Sequence, residues 1–312
     1  MEANTKIKNH KIFVTGATGW IGRTFLHELQ SIIGPDEFSR TVYAFASRSN
    51  ILQSTNYPLN EKINVPVQAL SKLNDYSGGQ NILLFHSAFL TKDRIQYYGT
   101  NRFIELNQYI TNTVSTFLES CKESRLISIS SGAAANSERK EEKSAITASD
   151  PYGYLKLKEE RQLSQITDTQ VLRIYALTGR YIRDPKTFAI GDLLIKALKK
   201  ERLTINSEYP VVRSYVSATD VAKWSLRWLL SNDRPNIPIG ATSHITTLSA
   251  LADMIAKLYC LPPPIIKPFI RAPDSYCCSP IIFEKMLRKY GIKPLSLIDQ
   301  ILDTAEGLEN IT

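Results

Sequence analysis

The sequence predicts an α/β protein in which a doubly wound parallel sheet is followed by a smaller C-terminal α/β lobe. Three observations carry this expectation. Apolar runs of strand length alternate with amphipathic helical stretches as far as about residue 180. The first of these runs breaks into three regularly spaced glycines and resumes as a helix. Beyond about residue 180 the alternation gives way to mainly helical segments and the turn-rich Leu261-Pro262-Pro263-Pro264.

The first element is a strand over 11–16, Lys11-Ile12-Phe13-Val14-Thr15-Gly16, rich in β-branched and aromatic residues. It runs into Gly16-Ala17-Thr18-Gly19-Trp20-Ile21-Gly22 and then a helix over 20–33. Gly16 permits a sharp turn, Gly19 lets backbone approach a pyrophosphate, and Gly22 permits close packing of helix on sheet. A phosphate placed here meets the positive N-terminus of the helix. The spacing is GxxGxxG, a variant of the general dinucleotide fingerprint GxGxxG, and with the strand–helix alternation it leads to the expectation of a Rossmann-type first domain. Further strands are expected near 41–46, 63–69, 81–86, 125–131 and 170–175, with helices near 100–121 and 152–166. The charged stretch Ser137 to Lys143 reads as a solvated loop. Later helices are expected near 187–200, 218–231, 280–290 and 297–309. The resulting domain division is 1–180 for nucleotide binding and 181–312 for a substrate lobe, with about 212–232 returning to the first domain.

Composition narrows the class. At 312 residues and 43% apolar content the chain can bury a sizeable core. No apolar stretch approaches the roughly 20 residues of a membrane span, and Met1 to His10 is too polar for a secretory signal. A cytoplasmic protein without membrane partners is expected. The four cysteines (Cys121, Cys260, Cys277, Cys278) show neither metal-ligand nor disulfide spacing and read as thiols; no metal site is expected. The formal charge of +8 comes from scattered Lys and Arg interleaved with acids. That pattern lacks the basic run and aromatic platform of a nucleic-acid binder. It suits either an anionic small-molecule substrate gripped by arginine or a solvated basic surface.

A second constellation carries the chemistry. Ser130-Ser131 ends a strand, and Asp150-Pro151-Tyr152-Gly153-Tyr154-Leu155-Lys156 enters a helix. Residues four apart share a helix face, so Tyr152 and Lys156 stand side by side. A phenol with a reference pKa of about 10 is a poor base at neutral pH, and a nearby ammonium favours the phenolate. So tuned, Tyr152 can exchange a proton with a carbonyl or alcohol while a cofactor takes or gives hydride, with the Ser131 hydroxyl on the same oxygen. Tyr154 and Lys158 repeat the spacing two residues later. Two residues turn a helix by about 200°, so only one pair can look into a cleft, and the Asp-Pro start with Gly153 favours Tyr152.

These motifs in this order resemble the extended short-chain dehydrogenases/reductases of the NAD(P)-dependent epimerase/dehydratase family, nucleotide-sugar epimerases among them, over almost the whole chain. The family's TGxxGxxG matches Thr15-Gly16, Gly19 and Gly22; its His-x-Ala matches His86-Ser87-Ala88; its helical Asn matches Asn107. Its serine segment resembles Ser130 to Asn136, and its PYGxxKxxxE resembles Pro151-Tyr152-Gly153, Lys156 and Glu160. Arg213 to Ala222 and Arg271-Ala272-Pro273-Asp274 resemble two later family segments. The resemblance implies a catalytic set of Ser131, Tyr152 and Lys156, with Lys156 also holding the nicotinamide ribose and Asn107 supporting that lysine through water. It implies that Arg213 and Arg271, with Ser131, contact the substrate, and that His86 packs beside the cofactor with Ser87 and Ala88. His86 reads equally well as a satisfied core histidine, while His10, His27 and His244 belong to no constellation. The family also implies a homodimer through the helices near 100–121 and 152–166. Phe103, Leu106, Tyr109, Ile110 and Phe117 are the apolar residues available for it, though core packing accounts for such a stripe equally well.

The chain departs from the family in places. Ala176 stands where nucleotide-sugar members carry a substrate-contacting Asn, Ala135 replaces the usual Tyr after the serines, and Ala69, before Leu70, replaces an Asp that often meets adenine. Each loss removes a group worth about 1 kcal/mol if buried. The second strand ends in Ser47-Arg48-Ser49 where an acid would take the ribose hydroxyls, a cation and two hydroxyls that suit NADP, with NAD the other reading. The expectation is therefore an NAD(P)-dependent oxidoreductase-type enzyme, foremost a nucleotide-sugar epimerase or dehydratase. The alternatives are an NADP-dependent reductase of a non-nucleotide carbonyl and a non-catalytic nucleotide sensor.

Overall fold

The computed structural model describes residues 10–53, 64–142, 150–235 and 237–309. The readings on Met1 to Asn9 and on Lys143 lie outside these residues. The described residues cluster into two compact units, one formed by 10–53, 64–173 and 222–239 and the other by 174–221 and 240–309.

The first unit is built on an eight-stranded sheet. Its strands are β1 (Lys11–Thr15), β2 (Val42–Ala46), β3 (Asn50–Gln53), β4 (Asn64–Ala69), β5 (Ile82–His86), β6 (Ser124–Ser131), β7 (Asp168–Ile174) and, following the second unit's β8 (Ala176–Thr178), β9 (Thr204–Ile205) and β10 (Val211–Ser217), β11 (Ile239–Ala241). The spatial order is β11-β7-β6-β5-β1-β2-β4-β3. β1 pairs in parallel with β2 on one side and β5 on the other, whereas β3 is antiparallel to β4 at the edge. Strand order therefore reverses between β1 and β5, and the crevice at their carboxyl ends is where such sheets take ligands.

Helices α1 (Trp20–Ile33), α2 (Pro35–Thr41), α3 (Ile95–Tyr98), α4 (Thr100–Ser120), α5 (Gly132–Glu142) and α6 (Pro151–Ser164) belong to this unit. Beneath the sheet, Phe13, Phe45, Leu70, Leu73, Leu84, Val114, Phe117 and Leu126 form one buried cluster, with Phe13 stacked on Phe45 at 6.0 Å and against Phe117 at 5.0 Å. The apolar stripe of α4 thus divides: Phe103 and Phe117 are wholly buried in the core, and only Tyr109, 51% exposed, is well open to solvent.

Two sequence expectations need correction. Ser137 to Glu142 is not a loop but the second half of α5. Ala, Glu, Arg and Lys are good helix formers, and the acids find partners: Glu138 Oε2 accepts from Arg173 at 2.7 Å and Glu141 meets Arg161 at 2.8 Å. Short α2 and edge strand β3 were not foreseen, since seven and four residues carry too little periodicity.

In the second unit β10 lies between antiparallel β12 (His244–Thr247) and two parallel partners, β8 and β14 (Asp274–Tyr276). A separate pair joins β9 to β13 (Ile265–Ile266). Its helices are α7 (Ala189–Leu198), then α8 (Ala218–Leu229), which continues into the first unit from Ala222, α9 (Leu248–Leu258), α10 (Ile281–Lys289) and α11 (Leu297–Glu306). Thr178 Oγ1 donates to Gln300 Oε1 at 2.9 Å and Gly179 N to Thr304 Oγ1 at 2.8 Å, fastening α11 within this unit. All four cysteines are thiols, and no helix of the described residues is long and apolar enough to cross a membrane.

Candidate active site

The glycine turn is tight for steric reasons that the structure makes explicit. Gly16 has φ +73°, and a Cβ there would lie 2.7 Å from Ala88 N and from the Ser87 side chain. A Cβ on Gly22 would lie 2.2 Å from Gly16 O, and one on Gly19 3.1 Å from the same oxygen. Thr15 O accepts from both the amide and the hydroxyl of Ser87, so the turn after β1 and the segment after β5 are locked together. Gly19 is the N-cap of α1; no side chain caps it and no acid lies in the first turn. Trp20, Ile21 and Gly22 make the first turn of α1, with Thr18 just before it, a helix N-terminus of the kind that suits an anion. Ser47, Arg48 and Ser49 are exposed just past the end of β2, and Ser49 Oγ accepts from Ala69 N at 3.1 Å. Leu70 is different: its side chain lies in the core cluster, not on an open face.

From Ala88 the chain passes to Phe89, whose ring meets both Tyr152 and Lys156. The Tyr152 ring is 5.9 Å from it, edge on, and the Lys156 ammonium is 3.8 Å from its centroid. Both come from α6. Asp150 caps this helix by accepting from Gly153 N, Pro151 occupies its first turn, and a Cβ on Gly153 would lie 2.6 Å from Ala133 O. α6 can therefore lie close against α5 only with glycine there. Tyr152 is half-buried and Lys156 buried, whereas Tyr154 and Lys158 are exposed, so the duplicate spacing points to solvent.

Lys156 is more heavily engaged than the sequence implied. Its ammonium donates to Ile129 O at 2.9 Å and to Glu159 Oε2 at 2.7 Å, and it faces the Phe89 ring. Glu159 Oε1 also takes His86 Nε2 at 3.0 Å and the Thr111 hydroxyl at 3.3 Å. An ionised carboxylate only accepts, so His86 carries a proton on Nε2, while its Nδ1 lies 2.6 Å from Thr15 Oγ1. Burial by itself pushes the Glu159 carboxyl upward; the Lys156 ammonium and then His86 outweigh it and hold Glu159 below its ordinary value. Asn107, buried on α4, accepts from Leu90 N at 2.8 Å and donates to Leu90 O at 3.5 Å, which anchors the segment carrying Phe89. Ser131, buried at the end of β6, accepts from Ala133 N at 3.2 Å. Next to it, Ser130 donates to Glu160, and Glu160 takes a bidentate pair from Arg173 at 2.6–3.2 Å. Burial pulls the Arg173 pKa down, but hydrogen bonds to Glu160 and then Glu138 raise it well above its ordinary value.

Arg213 and Arg271 lie in the second unit, each already against a carboxylate. Arg213 Nη2 donates to Asp274 Oδ2 at 2.7 Å, and Arg271 Nε meets Glu208 at 3.0 Å. Ala176 opens β8 of the same unit. Of the residues shaping the first unit's site, sequence reasoning missed Phe89 and Glu159. The i,i+3 spacing of Lys156 and Glu159 was a visible signal for the latter.

No match was found among curated protein sequences. Among solved structures, the chain is similar to UDP-glucuronic acid 4-epimerase from Bacillus cereus in complex with UDP-glucuronic acid and NAD, with 18% identity, TM-score 0.66, and 97% of this chain and 100% of that chain covered. It is similar to UDP-glucose 4-epimerase from Thermus thermophilus in complex with NAD, with 17% identity, TM-score 0.66, and 97% and 100% covered. An NAD-dependent NDP-hexosamine 5,6-dehydratase of tunicamycin biosynthesis gives TM-score 0.70 at 14% identity, with 96% and 98% covered. At such identities the likeness establishes the fold. A family model, that of the NAD dependent epimerase/dehydratase family, matches residues 12–240, and the chain belongs to that family.

Proposed function

We propose that this protein interconverts or dehydrates a nucleotide sugar, with Tyr152 handling the proton and the glycine turn holding a nicotinamide dinucleotide that would supply the hydride chemistry. The observation that carries the reading is the half-buried Tyr152 one helical turn before buried Lys156, both against Phe89, which directly follows the residues walling the glycine turn. The uncapped amides of α1 and the lack of room for any Cβ at Gly16 and Gly22 fit a dinucleotide pyrophosphate. The cofactor supplies the hydride acceptor; what the chain's own residues do is distinct. Tyr152 Oη gives or takes a proton at the substrate oxygen, the Ser131 hydroxyl orients that oxygen, and the Lys156 charge favours the phenolate. Phe89 and the buried α6 face exclude water on one side.

The exposed Arg48 at the end of β2 supports NADP, since a guanidinium there suits a 2′-phosphate; the NAD named with the related structures supports the other choice. Arg213 and Arg271 supply the cations for a substrate diphosphate, each by exchanging its carboxylate partner for phosphate. The exposed Tyr109 and Tyr154, on α4 and α6, support a homodimer through these helices.

Ala176, together with two arginines already paired to carboxylates, favours a second reading, reduction of a non-nucleotide carbonyl. One experiment separates them. The purified protein is denatured, the released nucleotide identified by mass spectrometry, and the native protein incubated with UDP-sugars followed by NMR. Retained dinucleotide with new sugar signals and no net cofactor oxidation supports the epimerase or dehydratase. An empty protein that consumes NADPH with simple carbonyls supports the reductase. Binding of neither dinucleotide refutes both.

A further inference from the structure

We infer that the ribbon of β9 and β13 in the second unit, with the segment that follows β13, is a docking surface for an anionic lipid bilayer. The chain there reads Ile265-Ile266-Lys267-Pro268-Phe269-Ile270-Arg271. Its backbone is tied down: Ile265 N donates to Leu203 O at 2.9 Å, Lys267 N to Ile205 O at 3.1 Å and Ile270 N to Glu208 O at 2.8 Å. Its side chains are not, for Ile265, Ile266 and Phe269 are 41–46% exposed and Ile270 is 74% exposed. A ladder thus fixes four large apolar residues within six positions while leaving them in water. Single exposed apolar side chains are ordinary, but a contiguous group marks a surface that something else covers.

The charges around this group select the partner. Lys199, Lys200 and Arg202 lead from α7 into β9, and Lys267 stands inside the apolar run; all four are exposed. The parallel register sets Thr204 beside Ile265 and Ile205 beside Ile266, so the basic run lies at the start of the same ribbon. There Arg202 Nε donates to Pro263 O at 3.2 Å and Lys200 Nζ to Tyr259 O at 3.1 Å, both neutral acceptors. Among the described residues none of the four cations has a carboxylate partner. The nearby acids are taken: Glu208 meets Arg271 at 3.0 Å and Asp274 meets Arg213 at 2.7 Å. Across 199–208 and 261–275 that leaves exposed Glu201 against four cations. A second copy of the ribbon would oppose like charges. An anionic bilayer accepts both features: the Phe269 and Ile270 side chains enter the boundary between headgroups and acyl chains, and the lysines stay among the headgroups with their stems along the apolar surface. Such peripheral contact needs no membrane-spanning helix.

The test is co-sedimentation of the full-length protein with vesicles of phosphatidylcholine alone and of phosphatidylcholine with phosphatidylglycerol at about 7:3. The wild type should pellet with the anionic vesicles and remain in solution with the neutral ones. Raising salt from about 0.1 M to about 1 M, which shortens the screening length from about 10 Å to about 3 Å, should weaken binding at least about tenfold. Phe269→Ser with Ile270→Ser should weaken it about tenfold or more, with thermal unfolding unchanged because both side chains are exposed. Lys199→Gln, Lys200→Gln and Lys267→Gln together should weaken it about 100-fold, at about fivefold per lysine, and repeat the test with the apolar residues intact. Ile298→Ser with Leu302→Ser removes an equally exposed apolar pair beside Asp299 and Asp303 on α11, and should leave binding within about twofold. No binding to anionic vesicles overturns the inference, as does equal binding to both vesicle types or anionic-vesicle binding that neither ribbon variant weakens. Retention on immobilised poly-glutamate without vesicle binding also overturns it, in favour of an acidic protein partner.

Discussion

Replacing Gly22 by alanine tests the cradle at its tightest point. Gly22 sits within α1 at ordinary helical φ, so alanine meets no backbone strain there and gains helix propensity of about 1 kcal/mol. The added Cβ nevertheless falls 2.2 Å from Gly16 O, 2.8 Å from Gly16 C and 3.0 Å from Ala17 Cα. All three are backbone atoms of the turn after β1, so no side chain can swing away. Real Cβ contacts rarely fall below 3.0 Å, so helix and turn must part by about 0.8 Å. Overpacking of a close-packed interior costs about 1–3 kcal/mol. A net loss of about 2 kcal/mol at the upper end corresponds to a fall of about 4–8 °C in Tm for a unit of this size. The same displacement pulls the first-turn amides of α1 off a bound pyrophosphate, for which a loss of about 10–100-fold in dinucleotide affinity is expected. Urea unfolding without nucleotide gives the first quantity; quenching of tryptophan fluorescence on titration with dinucleotide gives the second. Gly34→Ala is the contrast: its φ of +79° brings strain, but nothing lies within 4 Å of the added Cβ. It should cost about 1–3 kcal/mol and leave affinity untouched. A Gly22→Ala protein with wild-type stability and affinity would refute the steric argument, and so would Gly34→Ala weakening nucleotide binding equally.

Tyr152→Phe should lower kcat about 10²–10⁴-fold with little change in KM, while Tyr154→Phe and Lys158→Met, on the exposed pair, should leave kcat within about twofold; steady-state kinetics with the substrate found above decides. Arg173→Met should destabilise the protein by about 3–5 kcal/mol in urea unfolding, because it strands buried Glu160, and Arg173→Met combined with Glu160→Leu should recover most of that loss. Glu159, whose folded pKa lies below its unfolded value of 4.5, contributes stability that is fully present above that value and lost as pH falls through the folded pKa. Urea unfolding measured from pH 6 downward should thus show a steeper loss below about pH 4.5 in the wild type than in Glu159→Gln, and parallel curves would count against the buried pair.

The glycine turn, the order of strands and helices through the first unit, and the Tyr152–Lys156 face were legible in the chain because each depends on residues a few positions apart. Turn sterics need glycine within seven residues, helical facing needs a spacing of four, and strands announce themselves by runs of Phe, Val and Ile. Even the choice between two overlapping tyrosine–lysine spacings followed from helix rotation and an Asp-Pro cap. Misread was α5, whose charged residues look solvated in isolation. They form a helix because Arg173 and Arg161, more than 15 residues further on, stand where their carboxylates can reach.

What tertiary structure alone decided are the pairings between residues remote in sequence. His86 meets Glu159 across 73 positions, Asn107 bonds the backbone of Leu90, and the Phe89 ring contacts both Tyr152 and Lys156. Spacing states which side chains share a face, but not which buried partner wins a hydrogen bond when several compete. That outcome is set by packing, by the cost of leaving a buried charge unpaired, and by where three strands and two helices converge. The amino-acid sequence by itself therefore determined the fold class and the type of chemistry, through local geometry and periodicity. The tertiary structure decided the electrostatic setting of Lys156, because only there do distant charges share one water-free space.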